Sequence, residues 1–312
     1  MKYAFIFPGQ GSQSVGMGKD FYENFTLAKK YFEEASDAMG IDMKELLFEE
    51  NDKLALTSYT QPAIFLISTI AYQVFQSECP LLSHIAMGHS LGEVSAVIMS
   101  NGISFADGIN LTHQRGKLMT KACEGKDAGM MVVVGLDDTK LETFCQEQQQ
   151  LGKSLWCANY NGNGQIVLAG KKDDLLGSES QIKALGAKKT LLLPMSVASH
   201  CPLLEEAVED FKKLLEQTLK PNFSNPILSN ATLEEYTTKS QAKDLLGKQL
   251  TYPVLYKQSI LKIHDEVDAF IEFGYGNVLK GLNKRLTSKP TWNVGNLESL
   301  QECIKTIKSN NV

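Results

Sequence analysis

The chain has no Cys-x-x-Cys pair. Its six cysteines, at 79, 123, 145, 157, 201 and 303, are scattered. That spacing signals neither a zinc site nor a dithiol redox motif, and a reduced, cytoplasmic protein is the expectation. Long apolar runs are missing too. The longest, Ala63-Ile64-Phe65-Leu66-Ile67, breaks at Ser68-Thr69, far short of the ~20 residues of a membrane span. The opening run Tyr3-Ala4-Phe5-Ile6-Phe7 stops at Pro8-Gly9, with one lysine before it and no cleavage pattern after it. It does not read as a secretory signal. Basic residues are not in excess. Lysine and arginine total 31 against 36 acidic residues, a formal charge of −5, which argues against a nucleic-acid partner. No repeat or low-complexity tract is found. What remains is ordinary globular material. With 312 residues, 43% hydrophobic and 21% charged, the chain can bury one large domain or two modest ones.

The informative segment is Gly88-His89-Ser90-Leu91-Gly92. The run before it, His84 to Met87, reads as a short buried strand, and Glu93 to Met99 reads as a helix. Gly-x-Ser-x-Gly at a strand-to-helix turn is the setting of a nucleophile elbow. Small residues at 88 and 92 let the backbone turn without a Cβ clash. The helix N-terminus then offers N–H groups to a developing oxyanion. A plain Gly-flanked surface turn is the competing explanation.

Elsewhere, residues 3–7 read as a strand buried on both faces. Asp20 to Met39 reads as one helix ended by Gly40, and residues 62–76 as a buried helix opened by Pro62. Phe105 to Lys121 is a further helix. From Gly129 the pattern changes: strand 129–134, helix 137–149, strand 154–159, turn Asn161-Gly162-Asn163-Gly164, strand 165–169, helix 171–185 and strand 189–193. This β-α-β-β-α-β order is the ferredoxin-like arrangement. Beyond it lie a helix at 202–218, a strand near Ile227, helices near 239–249 and 254–264, a strand at 269–273, a loop from Gly274 leading into a helix, and a last helix at 297–308. The expected class is therefore α/β. A mostly parallel, hydrolase-like core (residues 1–124 and 196–312) carries an inserted ferredoxin-like small domain (125–195). In such sheets the site lies beyond the carboxyl ends of the strands.

A serine needs a base. His89 neighbours Ser90 and points elsewhere, His84 begins the strand, and His264 ends a helix. His113 and His200 remain. His200 sits in a loop of small and polar residues, Ser196 to Cys201, which suits a functional group or a histidine at a helix start. Phe7-Pro8-Gly9-Gln10-Gly11-Ser12-Gln13 is a glycine-rich turn after a strand. It lacks the Gly-Lys-Ser/Thr of a phosphate loop and the third glycine of the dinucleotide fingerprint. The N–H groups of Gln10 and Leu91 fit the two donors of an oxyanion hole. A plain connecting turn is the alternative. Arg115 can grip a carboxylate through two parallel bonds. The bland alternative is an arginine on a solvated helix face.

Taken together, Phe-Pro-Gly-Gln-Gly-Ser-Gln with Gly16-Met17-Gly18, Tyr59-Thr60-Gln61-Pro62-Ala63, Gly88 to Glu93, Gln114-Arg115-Gly116 and Ser199-His200 occur in one order. In this the chain resembles the malonyl-CoA:acyl carrier protein transacylases of fatty-acid synthesis and their polyketide-synthase acyltransferase relatives. The resemblance runs over nearly the whole chain. It implies that Ser90 becomes the acyl ester and that His200 is its base. Gln10 and Leu91 would give the oxyanion N–H groups, and Arg115 would pair with the malonyl carboxylate. Gln249 would orient the histidine, partly through its backbone carbonyl, and Asn161 would lie near the acyl pocket. It also implies malonyl-CoA and acyl carrier protein as partners, no cofactor beyond the CoA thioester consumed as substrate, no metal, no membrane, and a monomer. Ser199, before the histidine, leaves methylmalonyl open beside malonyl, although the stand-alone length favours malonyl. Tyr275 departs from the family, which usually has proline there.

Two other classes compete. An esterase, lipase or thioesterase would want an acid between serine and histidine in chain order, for which Asp127, Asp137 and Asp138 are available. A non-catalytic carrier-docking or scaffold protein would have no use for Ser90, His200 and Arg115 together.

Overall fold

In a computed structural model, residues 1–310 are described. Ten strands among them form two sheets: β1 (Tyr3–Phe7), β2 (Ile85–Gly88), β3 (Ala128–Val134), β4 (Leu155–Gly162), β5 (Gln165–Lys171), β6 (Lys189–Leu192), β7 (Asn222–Leu228), β8 (Glu235–Thr238), β9 (Ala269–Phe273) and β10 (Thr291–Val294). The six-stranded sheet runs β10-β9-β1-β2-β7-β8. All its neighbours are parallel except the β7–β8 edge pair. β1, β2 and β9 are buried along their whole length, as strands covered by helices on both faces must be. No helix of the described residues is long and apolar enough to cross a membrane.

The second sheet runs β4-β5-β3-β6 and is antiparallel throughout. Helices Asp138–Gln150 and Lys172–Ala184 complete its β-α-β-β-α-β order. It has a small apolar core of its own, including Met131, Val133, Phe144, Leu168 and Ile182. β4 is tied back to the larger unit: Tyr160 N–H donates to the Val254 carbonyl at 2.8 Å, and Val254 N–H to the Ala158 carbonyl at 2.8 Å. The fold is thus the expected one, a mostly parallel α/β core with an inserted ferredoxin-like unit.

Several local readings change. Pro62 does not open its helix. The helix runs Thr57–Glu78 with Pro62 inside it. A proline there leaves the carbonyl four residues back without a helical donor. That carbonyl, of Ser58, instead accepts from His113 Nδ1 at 2.7 Å, so a tertiary contact offsets the defect. The 20–39 helix is two helices, Lys19–Asn24 and Thr26–Met39, parted where Phe25 is extended. The break lets Phe21 and Phe32 both reach the core. The Asn161–Gly164 turn is shorter than expected. β4 continues to Gly162, and Gly162 pairs with Gln165 across the two residues Asn163-Gly164. The left-handed φ of 66° at Gly164 suits the Asn-Gly hairpin preference. The 202–218 helix starts as a 3-10 turn at Pro202–Leu204. The short edge strands β8 and β10 were not expected, because four residues at a sheet edge carry little pattern.

Candidate active site

Gln10 follows β1, and Ser90 follows β2, its neighbour in the sheet. Both lie beyond the carboxyl ends of parallel strands. Ser90 has φ 54° and ψ −110° and sits at the N-cap of helix Leu91–Met99. Such a backbone costs about 1–3 kcal/mol for a non-glycine residue and persists only where its surroundings enforce it. The glycines around it are there for contact, not for φ. A Cβ on Gly92 would stand 1.9 Å from the Phe7 carbonyl oxygen, and one on Gly88 would stand 1.9 Å from the Gly92 carbonyl carbon. The helix can therefore press onto β1 only if both positions lack a side chain.

His200 is the histidine that reaches the serine. Its Nε2 lies 2.7 Å from Ser90 Oγ, and its Nδ1 lies 2.6 Å from the Gln249 main-chain oxygen. A carbonyl only accepts, so Nδ1 carries the proton and Nε2 is free to accept from the hydroxyl. Burial, then the Arg115 charge, pull the His200 pKa down to about 3, against the carbonyl's opposing effect. The imidazole is neutral at physiological pH. The other four histidines are engaged elsewhere. His113 holds Ser58, His264 bonds Thr287 Oγ1 and His84 faces Glu266. His89 donates from Nε2 to Asn161 Oδ1 at 2.7 Å. That bond ties the elbow to β4 and places Asn161 at the cavity wall.

Arg115, on helix Phe105–Cys123, is only 1% exposed. One Nη donates to Gln61 Oε1 at 2.8 Å. The other donates to Gln249 Oε1 at 2.9 Å and reaches Ser90 Oγ at 3.4 Å. Nε has no partner among the described residues. The guanidinium also stands 6.0 Å from the Phe211 ring centroid, a cation–π contact. Burial lowers its pKa to about 10, opposed by Glu93, so it stays charged at neutral pH. A buried cation needs an anion nearby. Glu93, wholly buried, supplies it at one remove. It accepts from Gln249 Nε2 at 2.6 Å, Asn230 N–H at 2.9 Å and the Tyr236 hydroxyl at 3.0 Å. Burial outweighs these donors and pushes the Glu93 carboxyl up to about 7.

Gln10 and Leu91 line the same cavity of about 430 Å³ as Ser90, Arg115, Asn161 and His200. No acceptor among the described residues engages the main-chain N–H of either. The remaining wall is mixed, with Met119, Met130, Val167 and Met195 beside Gln13, Gln61, Asn159 and Ser199. Ser90, His200, Arg115, Gln10, Leu91 and Asn161 therefore meet around one cavity. Gln249 borders it through Arg115 and His200. Four polar residues of this network have no role in the sequence reading: Gln61, Glu93, Asn230 and Tyr236. The first two lie within the quoted motifs. Asn230 carries no local signal at all.

The acid candidates of the hydrolase reading lie elsewhere. Asp138 pairs with Lys257, Asp127 faces Lys172, and Asp137 caps a helix. The acceptor on His200 Nδ1 is a carbonyl, so the arrangement differs from a Ser-His-Asp triad.

Fold and site define the class: an α/β protein of the acyl transferase kind, and the family model described as acyl transferase domain matches residues 4–297. A malonyl CoA-acyl carrier protein transacylase from Salmonella typhimurium is 37% identical over 295 residues, 93% of this chain and 94% of that one. The crystal structure of a malonyl-CoA:acyl carrier protein transacylase from Helicobacter pylori is 52% identical, with a TM-score of 0.96 over 99% of each chain. A malonyl-transacylase solved in complex with its type II PKS acyl-carrier protein is 33% identical, with a TM-score of 0.94 over 98% of this chain and 100% of that one. The chain belongs to the malonyl CoA-acyl carrier protein transacylase family.

Proposed function

We propose that the protein moves a malonyl group from malonyl-CoA to the pantetheine thiol of acyl carrier protein, through an ester on Ser90. The observation that carries this reading is the pair of contacts on Ser90 Oγ: a neutral imidazole at 2.7 Å and a buried guanidinium at 3.4 Å. His200 Nε2 takes the hydroxyl proton as Oγ attacks the thioester carbon. The C–S bond breaks, and the proton passes to the CoA sulfur. The carrier thiol then gives its proton to His200, attacks the ester and regenerates the serine. The N–H groups of Gln10 and Leu91 hold the oxyanion in each half, each worth about 3 kcal/mol of barrier. Arg115 pairs with the free carboxylate of the acyl unit through Nε and Nη. No cofactor enters beyond the CoA thioester, which is consumed.

We take the working unit as a monomer. Six scattered cysteines suit a cytoplasmic setting. We take residues 125–195 as the small domain and 1–124 with 196–312 as the core, of which 311 and 312 lie outside the described residues. The carrier is expected to dock on basic residues, for which Lys188-Lys189 and Lys280, Lys284 and Arg285 are the candidates. Arg285 Nη2 donates to Gln165 at the start of β5 at 2.8 Å, which places the second group beside the small domain.

Intact mass after brief exposure to malonyl-, methylmalonyl- and acetyl-CoA tests the reading. A malonyl adduct on the wild type that disappears in Ser90→Ala is expected. An adduct that persists in Ser90→Ala removes the serine ester from the scheme. A dominant methylmalonyl adduct would redirect the substrate.

A further inference from the structure

We propose that Asn230 is the positioning residue of the acylation step: its side chain straps the main chain on both sides of Ser90 and holds the elbow in the conformation that aims the hydroxyl at His200. The proposal rests on the reading that Ser90 carries the acyl group.

The strap is built from one amide. Asn230 Oδ1 accepts from the Ser90 N–H at 2.7 Å, and Asn230 Nδ2 donates to the Gly88 carbonyl at 2.6 Å. The residue is fully buried. It is anchored in turn: its own N–H donates to Glu93, and its carbonyl accepts from Leu255 N–H at 2.9 Å. The main-chain ladder between β2 and β7 registers at Ala86 and Ile227. Two residues further along β2 a side chain takes over from the backbone. The elbow needs such support, because Ser90 has a positive φ that a residue with a Cβ rarely holds unaided. The strap also occupies the Ser90 N–H. That leaves Leu91 N–H as the donor of the elbow that faces the cavity. Only a carboxamide offers a donor and an acceptor side by side here. An ionised aspartate has no proton for the Gly88 oxygen, and alanine has neither group.

The test uses Asn230→Ala and the isosteric Asn230→Asp. Acyl-enzyme formation is followed by rapid quench and intact mass. Asn230→Ala is expected to slow acylation at least about tenfold. Malonyl-CoA affinity, measured in a Ser90→Ala background, should stay within about threefold, because Arg115 does not touch Asn230. Asn230→Asp should regain acylation as the pH falls, since its protonated carboxyl can donate to the Gly88 oxygen. The groups facing that position are Glu93 on the helix after the elbow, Tyr236 on β8, His89 and His200 beside Ser90, and Arg115 beyond Gln249. Wild type and Asn230→Ala contain the same groups, so their profiles set the baseline. Acylation of Asn230→Ala within about twofold of wild type overturns the proposal. So does an Asn230→Asp profile parallel to that of Asn230→Ala. If Asn230→Ala does not fold, the Asn230→Asp profile is read against wild type, and parallel profiles overturn the proposal. A wild-type chain that takes up no acyl group overturns the serine-ester reading instead, before any variant is compared.

Discussion

Gln249 holds Arg115 with its side chain: Oε1 accepts from the guanidinium at 2.9 Å, within a buried site. The same residue holds His200 with its main chain. One position at the end of helix Lys239–Gln249 thereby supports both the group that would take the proton and the group that would read the acyl carboxylate. Its amide also stands between a buried guanidinium and a buried carboxyl group. Nε2 donates to Glu93 while Oε1 accepts from Arg115, which fixes the amide in one orientation.

Removing the guanidinium tests the selectivity half of this arrangement. Arg115→Ala is expected to collapse the preference for malonyl- over acetyl-CoA by about a hundredfold, the effect of two charge-assisted bonds at roughly 1.5–3 kcal/mol each, less their desolvation. Arg115→Lys keeps the charge without the fork and should recover only part of it. The measurement is kcat/KM for both thioesters. An unchanged ratio would dismiss Arg115 as the carboxylate clamp.

Gln249→Ala separates the two roles of that residue, since alanine keeps the carbonyl on His200 and loses the arm to Arg115. The malonyl preference should fall by about tenfold while acetyl transfer changes much less. Equal losses with both substrates would assign the side chain to the elbow, through its bond to the Ser90 carbonyl at 3.0 Å.

A second buried carboxyl, Glu272 on β9, predicts a pH dependence of stability. It accepts from the Leu279 and Lys280 N–H groups at 3.0 and 2.9 Å, and burial raises its pKa from 4.5 to about 7. A raised folded-state pKa gives stability that is complete below the unfolded value and is lost as the pH rises through the folded one. The wild type should therefore lose up to roughly 3 kcal/mol relative to Glu272→Gln between pH 4.5 and 7. Denaturant unfolding of both proteins across that range is the measurement. A constant difference would mean that the carboxyl ionises at its ordinary value.

Charge reversal at Lys188 and Lys189, or at Lys284 and Arg285, should raise the carrier KM by about tenfold at low salt and less at high salt. Transfer to free pantetheine should be unaffected. If neither pair changes the carrier KM or its salt dependence, docking lies on another face.

Much of the fold was legible because its signals are local. The buried β1, the strand–elbow–helix around Ser90 and the β-α-β-β-α-β order each depend on short spans of apolar pattern and on turn residues. What was misread depended on partners far away. Pro62 is tolerated inside a helix because His113 occupies the carbonyl it leaves unpaired. The Asn161 segment extends as strand because it pairs with β5, while Asn161 itself bonds His89. β8 exists because β7 pairs with it.

The sequence by itself determined that a serine would stand on a tight strand-to-helix turn, since the demand for two Cβ-free positions is met within five residues. It also restricted the base to His113 or His200 before any resemblance was weighed. Only the tertiary structure brought His200 to the hydroxyl across 110 positions of chain. It also set Glu93 and Arg115 at the two ends of one Gln249 amide and turned Asn230 onto the elbow. Proton relays and buried charge balance depend on distances in space, which no short stretch of sequence encodes.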